Sequence, residues 1–399
     1  MPDLRSISPH IYLDRPMFPP RRLLTLSFSL LLIGTTTACS HNPIALTQTS
    51  QQQTQTSNNY SIFTELSQSQ IIYLGEMHTN PQDHEEQLRI LMALHQKNPK
   101  VAIAVEMFQR PFQGAVDDYL AGKIDETELL RKTEYEERWG YDWRYYAPLI
   151  RYAKEHNLPV IAMNTPTEIT RKVAKAGLAN LAEAEQVHIP PLEQVITDLD
   201  FAPNRGYRQM LGDIFAMHHH HHQDNDSDSN PEANASKTSG KNDRFERFFA
   251  AQVLWDETMA DSIVQFHQRQ PDYQILVIAG QGHIVYDYGI PSRVARRIEA
   301  ITPPAQTPQA AIKQEPSPHR PLKNGLVENS AQAAEQSSEE SFQQTTILFG
   351  NPEDVLFADH GDEYDEAEPI ADHFWQYDGG LKVKSVSRLL DQPRRDRQI

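Results

Sequence analysis

The sequence predicts an α/β protein with a mainly parallel central sheet flanked by helices, an additional helical region and disordered inserts. Three observations carry that expectation. Short apolar runs recur at Ile71–Leu74, Val101–Val105, Leu158–Asn164 and Tyr273–Ala279, each of buried-strand length. Segments of helical period separate them, the alternation expected of a βαβ chain. Each run also delivers polar chemistry at its end: Glu76 and His78, Glu106, Asn164, and His283 after Gly280-Gln281-Gly282. In open parallel sheets ligands bind outside the carboxyl ends of the strands.

Composition narrows the function. The 399 residues hold 54 acidic against 37 basic side chains, a net charge of −17, which argues against a general nucleic-acid binder. A single cysteine excludes an intramolecular disulfide. That cysteine, Cys39, ends a leader-like stretch: Arg21-Arg22, the apolar run Leu23–Gly34, then small residues to Ala38. A basic start, an apolar core and small residues before a cut site describe a secretory signal, too short to span a bilayer comfortably. Cys39 sits as in a bacterial lipobox, although Thr36 stands where leucine is usual; a non-lipidated cut near Ala38 is the other reading. The expected product is exported and anchored through a palmitate-bearing Cys39 to a bacterial membrane, on its periplasmic or surface side.

The expected organisation is a signal peptide over 1–39, a flexible Gln/Thr/Ser-rich tether over 40–59 and an α/β domain over 60–301. A linker or insert at 302–345, terminal strands of the same domain at 346–382 and a polar tail at 383–399 follow. Within the domain, Leu88, Leu91, Met92 and Leu94 give a helix after the first strand, broken by Asn98-Pro99. Strand, helix, strand makes a βαβ unit, so the first two strands are expected as parallel neighbours. Residues 111–139 read as helical, 148–156 as a helix with Pro148 in its first turn, and 167–178 as a helix stopped by Gly177. A proline-punctuated helical region covers 180–216, and a low-complexity insert with His218–His222 covers 218–243. Phe245–His267 follows as a long helix whose aromatics are core, then the fourth strand, then a basic helix from Ser292. Thr346–Gly350 and Ala371–Tyr377 are the last candidate strands, as antiparallel or edge partners.

Two carboxylates and two imidazoles on one rim admit two chemistries. Glu76, His78, Glu106 and His283 could form a mixed nitrogen and oxygen metal site for a divalent ion. They could also work as a general acid/base set, one carboxylate raised by its like-charged neighbour. The bland alternative is a set of satisfied core polar groups. The aromatic block Trp139–Tyr146 offers flat apolar walls of the kind a planar macrocycle needs, although such residues are more often packing.

Taken in order, Gly75-Glu76-x-His78, Val105-Glu106-Met107, Trp139 to Leu149, Pro159 to Asn164, Trp255 to Met259, Gly282-His283 and Gly289-Ile290-Pro291-x-Arg293 resemble the ChaN family. These are haem-binding, iron-uptake-associated bacterial lipoproteins within the Tiki and erythromycin-esterase-like superfamily, and the resemblance covers about residues 60–300. It implies an α/β core and a haem site at a homodimer interface with a tyrosine on the iron. Tyr146, Tyr207 and His283 are the haem-contact candidates, and an outer-membrane haem receptor is the implied partner. Relatives in the wider superfamily include metal-dependent proteases and esterases with residues matching Glu76, His78, Glu106 and His283. Hydrolase activity is therefore the alternative, and haem carriage without catalysis is the expectation. The inserts at 218–243 and 302–345 depart from a compact member.

Overall fold

The computed structural model describes residues 63–220, 231–302, 342–351, 355, 369–377 and 384–385. The signal segment with Cys39, the 40–59 tether, residues 303–341 of the linker and nearly all of the tail lie outside the described residues. So do the side chains of the histidine tract.

Six parallel strands form the sheet, as the alternating pattern predicts. They are β1 (Ile71–Glu76), β2 (Val101–Gln109), β3 (Val160–Asn164), β4 (Gln274–Gly280), β5 (Gln344–Phe349) and β6 (His373–Trp375). A two-residue β7 (Lys384–Ser385) pairs antiparallel with β6. The order is β3-β2-β4-β1-β5-β6-β7. Ile71–Leu74 alternate between two cores: Ile71 and Tyr73 face one side of the sheet, Ile72 and Leu74 the other. Successive strand residues point to opposite faces, so a strand covered on both sides must be apolar throughout.

The order corrects one expectation. β1 and β2 are parallel, but they are not neighbours, because β4 inserts between them. The crossover rule governs direction and handedness only. β4 returns after a long excursion, with Glu76 opposite Gly280 on one side and Val105 opposite Ile278 on the other. This insertion brings the chemistry together.

On one face lie α1 (Pro81–Lys97) and the helices that follow β2. α1 starts at Asn80, whose side chain accepts from the Gln82 amide, with Pro81 at the first helical position. The expected helical stretch 111–139 is three pieces: α2 (Gln113–Leu120), α3 (Glu126–Lys132) and α4 (Tyr135–Arg138). Asp125 caps α3, and Glu134 in left-handed conformation (φ 49°) opens α4, so neither junction continues a helix. α5 (Trp143–His156) begins five residues before Pro148, which therefore sits inside the helix and not in its first turn. On the other face lie α6 (Thr167–Ala176), α7 (Pro203–His220), α8 (Pro231–Arg269) and α9 (Ile290–Ile301). Gly177 does end α6, at φ +86°. The expected helical region 180–216 is short 3-10 turns until α7 begins at Pro203. β6 pairs parallel with β5, the antiparallel partner being β7 alone.

Candidate functional site

Strand order sets the site. β4 runs between β1 and β2, so His283, just beyond it, arrives between the Glu76/His78 end and the Glu106 end. All four residues named from the sequence meet there, each at most 4% exposed.

Glu106 is the centre. One of its oxygens, Oε2, accepts the Gly280 backbone N–H at 2.8 Å, while Oε1 lies 3.5 Å from His283 Nε2. His78 approaches from the other side. Its Nδ1 lies 2.7 Å from Glu76 Oε1, and a carboxylate can only accept, so that nitrogen carries the proton. Its Nε2 then faces Gly280, where an added Cβ would stand 2.9 Å from it and 3.7 Å from Glu106 Oε2. Gly280 has φ −57°, so its need for glycine is space and not conformation. His283 repeats the arrangement, with Nδ1 2.6 Å from Asp256 Oδ1. Tyr146 donates to Glu76 Oε1 at 2.6 Å, and Tyr207 lies against Asp256. The result is two tyrosine–carboxylate–histidine arms, Tyr146/Glu76/His78 and Tyr207/Asp256/His283, converging on Glu106.

The electrostatics follow from burial and pairing. Burial alone would raise Glu76, but His84, His78 and Tyr146 outweigh it and hold the carboxyl at about 2. Glu106 goes the other way: burial pushes it above the ordinary carboxylate range despite His283 and His78, and Glu76 adds to the rise. Burial pushes His283 down, yet Asp256 and Glu106 overcome it and raise the imidazole. Both tyrosines are held well above the ordinary phenol value, burial first and the neighbouring carboxylate second. Two carboxylates with opposed shifts, bridged by imidazoles, can hold and pass a proton at Glu106.

Aromatic residues close the His78 side. Trp139 stands edge-on to its ring at 4.7 Å and Tyr141 tilts against it at 4.7 Å. Gly140 between them has φ +77°, the left-handed conformation that turns Tyr141 back onto the same imidazole. His84 lies 3.5 Å from Glu76 and stacks on Tyr145 at 4.9 Å. Asn164 is a clamp: its Nδ2 donates to the Glu106 carbonyl at 2.7 Å, and Oδ1 accepts from Trp255 Nε1 at 2.5 Å.

The expected metal set is paired and not arranged for chelation. Each imidazole Nδ1 is committed to a carboxylate, and Glu76 is engaged by His78, Tyr146 and Gln87. Among the described residues no group of three or more His, Cys, Asp or Glu side chains is arranged to hold a metal ion. The haem-contact candidates Tyr146, Tyr207 and His283 all reach the cluster, but at 2%, 1% and 1% exposure they face inward. A macrocycle needs a flat wall open to solvent and a donor aimed at it. The buried cluster by itself offers no plane open to solvent.

Asp256 and His84 were not anticipated as site residues. Asp256 sits in the middle of α8 beside Trp255, where helical spacing reads as core. The available signal was its acidity: a carboxylate on an apolar helix face must find a partner.

A parallel α/β sheet with a carboxylate–imidazole cluster buried at its carboxyl edge defines the class of this protein. The chain belongs to the haem-binding uptake family ChaN of the Tiki superfamily, whose model matches residues 62–294, more than half of its length. A curated relative, protein RETICULATA-RELATED 5, chloroplastic, of Arabidopsis thaliana, is 24% identical over 249 residues. That match takes in 59% of this chain and 31% of the relative, so the chain spans about a third of the relative's length. Among solved structures, ChaN of Campylobacter jejuni with cofacial haem binding aligns at 15% identity and TM-score 0.45, over 73% of this chain and 86% of that one. An erythromycin esterase mutant in its open conformation aligns at 12% identity and TM-score 0.35, over 83% and 91%.

Proposed function

We propose that this chain binds haem and serves its uptake or handling as an exported, lipid-anchored carrier. The observation that carries the reading is the haem-binding uptake family match over the folded body. The aromatic block at 139–146 packs around His78 at the same sheet edge. Haem would supply the iron and a flat apolar plane, and the chain would supply a donor, a wall and a cation for the propionates. The leader-like start with Cys39 supports anchoring, and a homodimer and an outer-membrane haem receptor are the partners the reading carries with it.

The test is a hemin titration of the full chain with His218–His222 replaced by serine, so that the tract contributes no imidazole. A saturable Soret change at fixed stoichiometry is expected. Featureless, non-saturating uptake overturns haem binding. Separately, Cys39→Ser is expected to release the protein from the membrane fraction and to remove the lipid mass; unchanged attachment and mass overturn the anchor.

A further inference from the structure

α1 and α5 reach the buried cluster near their beginnings, through Gln87 and Tyr146, and meet again at their far ends. α1 leaves the sheet after β1 and α5 leads into β3, so both helices end on the side opposite the cluster. Between them Ile90, Leu91 and Leu94 of α1 and Leu149, Ile150 and Ala153 of α5 share one core. In the last turns stand His95 on α1 and His156 on α5, with Tyr152 one turn before His156.

Tyr152 holds both imidazoles. Its hydroxyl lies 2.9 Å from His95 Nδ1, and its backbone carbonyl lies 3.0 Å from His156 Nδ1. The His156 ring also stacks on the Tyr152 ring at 4.0 Å. A carbonyl only accepts, so His156 Nδ1 carries the proton and Nε2 the lone pair. The hydroxyl can accept from His95 Nδ1 in the same way and leave its Nε2 as the donor atom. Among the described residues no hydrogen bond or ion pair engages either Nε2. An Nδ1 held by oxygen with Nε2 left open is how proteins orient histidines toward a metal ion.

The spacing fits one ion. Metal–nitrogen bonds of about 2.0–2.1 Å put each imidazole centre about 3.2 Å from the metal, and two such rings at a tetrahedral angle have centres about 5.2 Å apart. The centres of His95 and His156 are 5.2 Å apart. The surroundings favour a cation, because the carboxyl ends of two helices meet here with their negative partial charge. Glu155 adds a carboxylate close enough to raise the Tyr152 hydroxyl, second to burial. Lys97 and Lys154 share these last turns, but their ammonium groups are engaged elsewhere, over the Phe63 ring at 5.4 Å and the Tyr119 ring at 3.9 Å. His95 is half-buried and His156 exposed, so an ion reaches both from solvent.

We propose that His95 and His156 bind one divalent transition-metal ion of the zinc, nickel or copper type through their Nε2 atoms. Tyr152 is the positioning residue for both rings. No third His, Cys, Asp or Glu among the described residues joins the pair, so water completes the coordination. The ion pins α1 to α5 at the end remote from Glu76, and nothing in the site depends on haem.

The test uses the full chain with His218–His222 replaced by serine, titrated with Zn²⁺ by calorimetry and with Cu²⁺ by electron paramagnetic resonance. One saturable equivalent is expected, with imidazole nitrogen hyperfine structure on Cu²⁺ and a Tm that rises with Zn²⁺. His95→Ala and His156→Ala should each weaken Zn²⁺ binding about tenfold or more and abolish the rise in Tm. Tyr152→Phe keeps the carbonyl and removes the hydroxyl, and should weaken binding about tenfold, the loss usual for an orienting partner. A merely structural Tyr152 would lower the metal-free Tm and leave the affinity unchanged, which overturns its positioning role. Unchanged affinity in either histidine variant overturns the shared site, as does the absence of saturable binding in the parent protein. None of these arms uses hemin, so their outcome is independent of the haem titration.

Discussion

Glu76→Gln is the sharpest perturbation of the buried cluster, because it keeps the shape and removes the charge. In the folded chain the Glu76 carboxyl is held at about 2 against an ordinary 4.5. At about 1.4 kcal/mol per pH unit, that depression is equivalent to about 3 kcal/mol of stability at neutral pH. The sign follows from the direction. A depressed carboxyl stabilises the fold above its unfolded value, near 4.5, and loses that contribution as pH falls through the folded value, near 2. The substitution should therefore cost on the order of 3 kcal/mol at pH 7, and the penalty should shrink as pH falls below about 4.5. Two local effects act with it. The new amide cannot accept from His78, Tyr146 and Gln87 together as the carboxylate does, and Glu106 loses one of the charges that raise it. Urea unfolding followed by tryptophan fluorescence at pH 7, 4.5 and 3.5 measures the difference directly. A penalty below about 1 kcal/mol at pH 7, or one that grows on acidification, refutes the pairing scheme.

Other substitutions probe the rest of the arrangement. Gly280→Ala places a methyl 2.9 Å from His78 Nε2 and should cost about 1–3 kcal/mol, with a shifted His78 resonance by NMR; a neutral melt would contradict the close approach. Glu257 is fully buried between Arg296 at 2.6 Å and Arg297 at 2.8 Å, so Glu257→Gln should destabilise by about 3–5 kcal/mol in denaturant titration. Asp256→Asn removes the first of the carboxylates that raise His283, and its imidazole pKa should fall when followed by NMR. The raised imidazole stabilises the fold below its unfolded value of 6.5 and loses this as pH rises through the folded value, so the Asp256→Asn penalty should shrink at alkaline pH. Tyr146→Phe deletes one donor to a charged acceptor and should cost about 1.5–3 kcal/mol by the same titration.

What could be read from the chain differs between the sheet and the site for physical reasons. The strands were legible because parallel strands covered on both faces must be apolar without interruption, and Ile71–Leu74, Val101–Val105 and Ile275–Ala279 are. Their polar ends were legible because a glycine or a charged residue closing such a run has few other uses. The insertion of β4 between β1 and β2 was not, since local patterns fix direction and leave adjacency to long-range packing. Asp256 was hidden by its helix: flanked by Leu254, Trp255 and Met259 it reads as part of a core stripe, although a carboxylate there demands a partner.

A buried proton-holding cluster and a haem-binding surface make different demands on a fold. A cluster that holds a proton among Glu106, His78 and His283 needs exclusion of water, because the opposed shifts of Glu76 and Glu106 arise from burial set against close charge pairs. A surface that accepts and releases a macrocycle needs the reverse: open walls, an exchangeable anion partner and a donor with nothing to break on binding. Tyr146 and Tyr207 satisfy the first demand, since each gives its hydroxyl to the carboxylate side of an arm and burial keeps it protonated. Turning either toward iron would strip Glu76 or Asp256 of a neighbour and require a phenolate where burial opposes one.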